Sequence, residues 1–218
     1  MDLKLKICGM REPDNLSRIE ALQPDYLGLI FYRDSPRYVS EEIEILEPGI
    51  KITGVFVNAS EEEILEKSKN YNLAAVQLHG EESPEFCENL KDHFSRSETP
   101  LEIIKVFGMK EVFNFDRLKP YEDIVDFFLF DTRGKNKGGN GITFDWDLLK
   151  EYPSSTPFFL SGGIGLEEIA AIKLLYSNFK TEGNQDLFYG IDVNSKFETA
   201  PAVKDAEALK IFRERLYN

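Results

Sequence analysis

The feature that most constrains the fold is a regular alternation of short apolar segments with longer amphipathic ones along the whole chain. Eight of the apolar segments have the length and the flanking turn residues of β-strands. Strands that alternate with helices predict a parallel sheet, and eight such units predict a single closed (β/α)8, or TIM, barrel of the α/β class. A doubly wound open sheet is the alternative. The predicted strands are Leu3–Cys8, Tyr26–Phe31, Lys51–Val57, Ala74–His79, Leu101–Phe107, Phe127–Phe130, Pro157–Leu160 and Phe188–Val193.

The segments between the strands predict helices. Ser60 and the pair Ser83-Pro84 mark two helix starts, because serine caps a first turn and proline suits its first position. No linker or change in composition interrupts the 218 residues, which predicts one barrel domain over residues 1–218. The predicted helices run from Glu12 to Leu22, from Ser40, from Ser60, from Ser83, near Val112 to Leu118, from Thr143, from Leu166 to Tyr176 and from Ala202 to Leu216.

Composition narrows the classes of function. The net charge of -13 at pH 7 disfavours nucleic acid and anionic membranes as partners. No apolar stretch reaches the roughly 18 residues of a membrane span, and the N-terminus lacks the apolar region of a signal peptide. The 2 cysteines and 2 histidines provide neither a disulfide framework nor metal-ligand spacing. We therefore expect a cytoplasmic protein with reduced thiols, no metal, no nucleic-acid partner and no membrane contact.

The segment from Asp126 to Gly141 joins a buried strand to a carboxylate and a glycine-rich loop. Its apolar run Phe127–Phe130 ends at Asp131, and four glycines and three cations follow. Barrel enzymes keep catalytic acids at the C-terminal ends of strands, beneath loops of this kind. Asp131 is therefore a candidate catalytic acid, with the alternative that it caps a turn. We expect the loop Thr132–Ile142 to be mobile and to close over a substrate.

Cys8 is the candidate reactive group at the end of the first strand. Lys6 and Cys8 share one face of this strand, whereas Leu5 and Ile7 share the other. The apolar face should pack on helices, so Lys6 and Cys8 should point into the barrel. A lysine beside the thiol should favour its thiolate. The alternative is that Cys8 only fills a small volume in the core.

The turns after the seventh and eighth strands predict an anion site. Gly162 and Gly163 precede a helix, where backbone N–H groups and the helix N-terminus favour a phosphate. Asp192, Asn194 and Ser195 end or follow the eighth strand. In barrels these two loops commonly share one phosphate site. We therefore expect a phosphate where Gly162, Gly163, Asn194 and Ser195 converge, with ordinary tight turns as the alternative.

Two more side chains are candidate substrate contacts. Arg37 lies in the loop after the second strand, and its planar guanidinium suits a carboxylate. We expect it far across the barrel from the phosphate loops; a solvated surface arginine is the alternative. His79 ends the fourth strand on the same face as Gln77. It either binds or orients a substrate or is a satisfied core histidine.

Nine short motifs occur in order along nearly the whole chain: Lys6–Gly9, Ser35–Tyr38, Gly54–Val57, Gln77–Gly80, Phe130–Thr132, Gly138–Gly141, Phe144–Trp146, Ser161–Gly163 and Gly190–Val193. A single motif of this kind is weak, whereas the ordered set is highly specific. Together they resemble the phosphoribosylanthranilate isomerase family of tryptophan biosynthesis.

The resemblance implies an isomerase without metal or cofactor. The implied reaction is the Amadori rearrangement of N-(5-phosphoribosyl)anthranilate to 1-(2-carboxyphenylamino)-1-deoxyribulose 5-phosphate. It implies that Cys8 is the general base, Asp131 the general acid and Arg37 the ligand of the anthranilate carboxylate. The expected partner is this small phosphorylated substrate, and we expect a monomer or homodimer.

The implied chemistry sets requirements for the two catalytic groups. Opening of the sugar ring needs a proton from Asp131, so burial should raise the pKa of that carboxyl. A bell-shaped pH profile should result, with an acidic limb from thiolate formation at Cys8 and a basic limb from the loss of the Asp131 proton.

Two positions depart from the family pattern. Ile142 stands where the sixth loop usually has a lysine, for which Lys135 or Lys137 is a candidate substitute, and Lys196 replaces a glycine after the eighth strand. The histidine-pathway isomerase, which uses two aspartates, is disfavoured by Cys8. A metal-dependent sugar-phosphate epimerase is disfavoured by the two histidines. A phosphate-binding barrel without catalysis remains the alternative from another class.

Overall fold

The computed structural model describes residues 1–41, 43, 48–96, 100–110, 112–132 and 145–218. Eight parallel strands form a closed barrel in chain order, and β8 pairs with β1. This confirms the predicted (β/α)8 fold. The strands are β1 (Lys4–Cys8), β2 (Tyr26–Ile30), β3 (Lys51–Phe56), β4 (Ala75–Leu78), β5 (Glu102–Met109), β6 (Phe127–Thr132), β7 (Phe158–Ser161) and β8 (Phe188–Val193).

Alternation along each strand divides the apolar side chains between the barrel interior and the layer beneath the helices. At the N-terminal end of the strands the interior is filled by aromatic rings. Phe159 packs edge-on against Tyr26 with centroids 5.4 Å apart, and Tyr189 lies 4.3 Å from Phe127. This cluster closes the barrel at that end, so any ligand site in the interior has to lie at the other end.

The helices cover the outside of the barrel. The two predicted serine caps are present, because the hydroxyl of Ser60 accepts a hydrogen bond from the Glu63 N–H at 3.2 Å and that of Ser83 accepts one from the Phe86 N–H at 3.1 Å. The α-helices in the described residues are α1 (Pro13–Glu20), α2 (Glu61–Asn70), α3 (Pro84–Ser95), α4 (Ile169–Thr181) and α5 (Ala206–Tyr217). None of them is both long and apolar enough to span a membrane.

Several predicted helices differ from what the structure shows. The predicted helix near Val112 to Leu118 is replaced by two single 3-10 turns, Phe115–Arg117 and Lys119–Tyr121. The helix after β6 is a short 3-10 helix, Trp146–Glu151, and it ends there because Pro153 disfavours helical backbone at Tyr152. The segment predicted to begin at Leu166 starts as a 3-10 turn before α4. The helix predicted from Ser40 and the start at Thr143 lie mostly outside the described residues.

The prediction of a final helix from Ala202 was wrong at its start. Residues Glu198–Ala200 (β9) and Val203–Lys204 (β10) form an antiparallel hairpin, and α5 begins only at Ala206. Pro201 cannot donate a backbone hydrogen bond, and Ala202 has a left-handed φ of 67°, so the chain turns there instead of entering a helix. The hairpin lies directly after β8, at the end of the barrel that holds the pocket.

Candidate active site

A pocket opens at the C-terminal ends of the barrel strands. It has an empty volume of about 760 Å³, which includes the solvent at its mouth. All nine residues predicted to form the site line it, and the structure therefore brings them to one place. The lining residues include Cys8, Tyr32, Arg37, Gln77, His79, Asp131, Ser161, Gly162, Gly163, Asp192, Asn194, Ser195 and Lys196.

Cys8 lies in the wall of this pocket, at the end of β1. Its side chain is buried against Ile30, Val55 and the ring of Tyr32. Burial raises the pKa of the Cys8 thiol above its usual value, although the charge of Lys6 acts in the opposite direction. Lys6 thus favours the thiolate, as expected from the sequence, but desolvation exceeds this attraction and the net shift of the Cys8 pKa is upward.

Lys6 lies beneath Cys8 and forms an ion pair within the barrel. Its ammonium donates to Asp192 Oδ1 at 2.7 Å, and the two side chains are 0% and 6% exposed. Burial lowers the pKa of Lys6, but the charges of Asp192 and Cys8 outweigh it and raise this pKa. The other carboxylate oxygen of Asp192 accepts a hydrogen bond from the Ser161 hydroxyl at 3.1 Å. Both oxygens of Asp192 are thus engaged within the protein, and its predicted contact with substrate stays a prediction.

Asp131 lies at the end of β6 and is 8% exposed. Burial, followed by the nearby charge of Asp192, raises its pKa to about 7, although hydrogen bonds from Thr132 and Ser161 favour the charged form. This confirms the predicted effect of burial. Gly162 has a φ of 90°, and a Cβ there would lie 2.8 Å from Asp131 Oδ1. Only glycine lets the turn after β7 approach the carboxyl this closely.

His79 faces Asp131 across the pocket. Its Nε2 lies 3.6 Å from Asp131 Oδ2, and its Nδ1 lies 3.3 Å from the side-chain nitrogen of Gln77. Burial lowers the pKa of His79 to about 4, so the ring is neutral at pH 7. An amide donating to Nδ1 leaves the ring proton on Nε2, directed at Asp131. The carbonyl oxygen of the Gln77 amide is buried without a partner among the described residues.

The predicted phosphate loops converge on one side of the pocket. Gly163 has a φ of 70° in the turn after β7, and Asn194 and Ser195 follow β8. Glu168 accepts a hydrogen bond from the Gly165 N–H at 2.7 Å, which closes the first helical turn. The backbone geometry fits the anion site predicted from the sequence, but its occupant stays a prediction.

The sequence led us to expect Arg37 far across the barrel from these loops, but this prediction was wrong. β2 is separated from β8 only by β1, and the Arg37 guanidinium pairs with Glu198, which follows the β8 loop. Gly9 lies between Arg37 and Asn194, since a Cβ there would be 2.7 Å from Arg37 Cδ and 2.9 Å from Asn194 Oδ1. The sequence around Glu198 does not mark it as a site residue, because the two strands of the hairpin that carries it have only three and two residues.

Most of the loop after β6 lies outside the described residues. The prediction of a mobile lid at Thr132–Ile142, and the roles considered for Lys135 and Lys137, fall on residues 133–144, which lie outside the described residues. Among the residues that are described, no group of three or more histidine, cysteine or acidic side chains is arranged to hold a metal ion.

Comparison with known proteins gives a consistent result over the whole chain. The family model for N-(5'-phosphoribosyl)anthranilate (PRA) isomerase matches residues 5–215. A protein of Phocaeicola vulgatus named N-(5'-phosphoribosyl)anthranilate isomerase is 42% identical over 212 residues, which are 97% of this chain and 97% of that protein.

Solved structures agree with the sequence match. The phosphoribosyl anthranilate isomerase of Thermus thermophilus superposes with a TM-score of 0.82 at 27% identity, over 99% of this chain and 98% of that one. A second isomerase structure holds reduced 1-(o-carboxyphenylamino)-1-deoxyribulose 5-phosphate and superposes with a TM-score of 0.75 at 27% identity, with the same coverage.

Proposed function

Because this chain belongs to the N-(5'-phosphoribosyl)anthranilate isomerase family, we propose that it converts N-(5'-phosphoribosyl)anthranilate to 1-(2-carboxyphenylamino)-1-deoxyribulose 5-phosphate, with Asp131 as acid and Cys8 as base. One observation carries the residue assignment: a buried carboxyl with a pKa of about 7 and a buried thiol line the same pocket. In this proposal one barrel domain over residues 1–218 carries out the isomerisation.

The first chemical step opens the sugar ring. The protonated Asp131 carboxyl donates its proton to the ring oxygen, and the bond between this oxygen and C1 breaks. The lone pair of the anthranilate nitrogen forms a C1=N bond, which carries the positive charge. An acid of pKa about 7 still holds its proton on about half of the molecules at neutral pH, which suits it to this role.

The second step moves hydrogen away from C2. The Cys8 thiolate takes the C2 proton, and the electrons of that C–H bond form a C1=C2 double bond and neutralise the iminium nitrogen. The enolamine then gains a proton at C1 and loses one from the C2 hydroxyl, which yields the ketone. Transfer of the Cys8 proton to C1 and of the hydroxyl proton to Asp131 restores both groups.

The remaining pocket residues hold the substrate between these two groups. Gly162, Gly163, Asn194 and Ser195 bind the phosphate through backbone and side-chain donors, and Arg37 binds the carboxylate. Fixing both ends places the ring between Cys8 and Asp131. The entropy of orienting the reacting groups is then lost on binding and not in the chemical step. The Nε2 proton of His79 orients the Asp131 carboxyl, 3.6 Å away. A charged metabolite of this size fits a cytoplasmic enzyme, working as a monomer or homodimer.

Turnover of the substrate tests the proposal directly. The substrate is generated in the assay from anthranilate and phosphoribosyl pyrophosphate by a phosphoribosyltransferase, and product formation is followed with and without this protein. We expect saturable turnover with this substrate, and none with the bisphosphate substrate of the histidine-pathway isomerase. Tight binding of the reduced product without any turnover would instead identify a phosphate-binding barrel that does not catalyse.

A further inference from the structure

The guanidinium of Arg37 is held by Glu198 along one of its edges. Its Nε donates to Glu198 Oε1 at 2.8 Å and its Nη2 to Oε2 at 2.5 Å. The two side chains are only 13% and 6% exposed. Two parallel charged hydrogen bonds fix the plane of the guanidinium as well as its position.

Glu198 is in turn held by two further hydrogen bonds. Lys204 donates to Glu198 Oε1 at 2.6 Å, and the Ala202 N–H donates to the same oxygen at 3.1 Å. The side chain of Lys204 is completely buried and also donates to Asn194 Oδ1 at 2.6 Å. The carboxylate thus lies between two cations, and the three charges sum to +1.

The β9–β10 hairpin that carries Glu198 and Lys204 is anchored to the barrel. Asn15 on α1 accepts a hydrogen bond from the Lys204 N–H and donates one to the Lys204 carbonyl, each 2.7 Å long. Two hydrogen bonds from one side chain to the backbone N–H and C=O of Lys204 resemble the pairing with a third strand. The support of Arg37 is therefore a fixed part of the fold.

The pairing with Glu198 leaves the useful edge of Arg37 available. A guanidinium has a side-on edge, formed by Nε and one terminal nitrogen, and an end-on edge, formed by Nη1 and Nη2. Glu198 occupies the side-on edge, and Arg37 is one of the residues that line the pocket. Among the described residues no acceptor contacts Nη1. The end-on edge can therefore receive one more carboxylate in the same bidentate manner.

We infer that Glu198 is a positioning residue for the anthranilate carboxylate: together with Lys204 it holds Arg37 so that the end-on edge of the guanidinium meets that group. The inference rests on the proposed function. The same lysine holds Asn194 in the predicted phosphate loop, so one buried ammonium supports both ends of the substrate site. The negative charge of Glu198 also separates Arg37 from Lys204, which would otherwise repel each other.

The test measures binding of two ligands that differ only in the carboxylate. They are reduced 1-(2-carboxyphenylamino)-1-deoxyribulose 5-phosphate and its phenylamino counterpart without the carboxyl group. Glu198→Gln should raise the Kd of the first by about 10- to 100-fold, the range for a lost charged hydrogen bond, and leave the Kd of the second within about twofold. In turnover, KM should rise by a similar factor, whereas kcat should change by less than about threefold.

Two further variants decide whether Glu198 acts through Arg37. The double variant Glu198→Gln/Arg37→Ala should bind the carboxylate ligand no more weakly than Arg37→Ala alone, because the second change has nothing left to position. Glu102→Gln is the matched control: this carboxylate also pairs with a lysine, Lys51, but at the opposite end of the barrel. It should leave both Kd values unchanged.

Three outcomes overturn the inference: equal weakening of both ligands by Glu198→Gln, no weakening of either, or additive effects in the double variant. If Glu198→Gln does not fold, Glu198→Asp keeps the charge between the cations and shortens the arm by one methylene; the same carboxylate-specific weakening is expected. Failure of the wild type to turn over the substrate would refute the proposed function, whereas carboxylate-specific binding would still report on Glu198.

Discussion

The two ends of the barrel are built from the same eight strands but handle charge in opposite ways. β1 shows this within three residues. Lys4, at the N-terminal end, pairs with Asp25 at 2.9 Å, and these side chains are 44% and 34% exposed. Lys6, toward the C-terminal end, pairs with Asp192 at 2.7 Å, and these are 0% and 6% exposed. The first pair is solvated at the rim of an aromatic cluster, whereas the second lies under a pocket.

This difference shows that the fold tolerates a loss of stability at the pocket end, where the chemistry takes place. A partly solvated pair contributes little to stability and can be lost without leaving a buried charge. A buried pair depends on both partners, because either charge alone would be expensive in the interior. At the pocket end, burial also raises the pKa values of Asp131 and Cys8 and lowers that of His79. Perturbed groups gathered in one pocket are typical of a catalytic site.

The largest effect is expected on kcat, and only for substitutions at the pocket end of the barrel. Asp131→Asn removes the transferable proton, and Cys8→Ser replaces the thiol with a far weaker acid. Each should lower kcat by roughly 10²- to 10⁴-fold, the usual contribution of a general acid or base. Steady-state turnover beside thermal melts measures this.

Matched controls come from outside the pocket. Asp126→Asn changes a carboxylate just before β6, which pairs with Lys91, and Cys87→Ser changes a buried thiol on α3. Both should retain wild-type kcat per folded molecule. A folded Asp131→Asn or Cys8→Ser variant with near-wild-type kcat would remove that residue from the mechanism.

A smaller effect is expected on stability, where substitutions of the two lysines of β1 should differ. Lys6→Met leaves Asp192 as an unpaired buried charge and should lower the free energy of unfolding by about 3–5 kcal/mol. Lys4→Met removes an exposed partner and should cost less than about 1 kcal/mol. Urea denaturation of both variants gives the comparison. Equal losses would show that burial of the charge is not what distinguishes the two ends.

The smallest expected effect is a plateau in the pH profile of kcat/KM. Turnover needs Asp131 protonated, with a pKa of about 7, and Cys8 ionised, with a pKa that burial raises above the usual value of a thiol. Below pH 7 the rate rises as thiolate forms while Asp131 keeps its proton. Between the pKa of Asp131 and the higher pKa of Cys8, each further gain of thiolate is offset by loss of the Asp131 proton, so the rate should change by less than about twofold.

Above the pKa of Cys8 the rate should fall. The lower break therefore belongs to Asp131 and the upper one to Cys8, the reverse of the order expected from the sequence. Fitting should begin above pH 6.5, because a phosphate ester itself ionises near pH 6. Thiolate absorbance of wild type against Cys8→Ser locates the upper break independently. A thiolate that forms below pH 7 would restore the original order.

Much of the fold was predictable because strand periodicity is a local property. β8 was predicted at its observed bounds, Phe188–Val193, and the other strands to within a few residues. Helix type was less accessible, since Trp146–Glu151 and the turns near Phe115 depend on a few local hydrogen bonds and on nearby prolines. The β9–β10 hairpin was missed because its two strands have only three and two residues, too few to show a period.

The site residues were predictable where strand ends identify them, but their chemical states were not. Lys6 and Cys8 are two residues apart, and this spacing suggested a thiolate. Lys6 forms its ion pair with Asp192, which is 186 positions away in the chain. Arg37 and Glu198 are likewise 161 positions apart. Which of several carboxylates reaches a given cation depends on barrel closure, and burial, which reverses the expected state of Cys8, appears only in three dimensions.

Gly9 has a consequence for how substrate preference in this barrel evolves. The space that a side chain would need at this position is already filled on one side by the Arg37 stem and on the other by the Asn194 amide. A single substitution there displaces both side chains. Gly9 is therefore a pleiotropic position, because any change at it alters the contacts of both ends of the ligand together. Adaptation to ligands of a different size is more accessible at Ile30 or Tyr32, which also line the pocket.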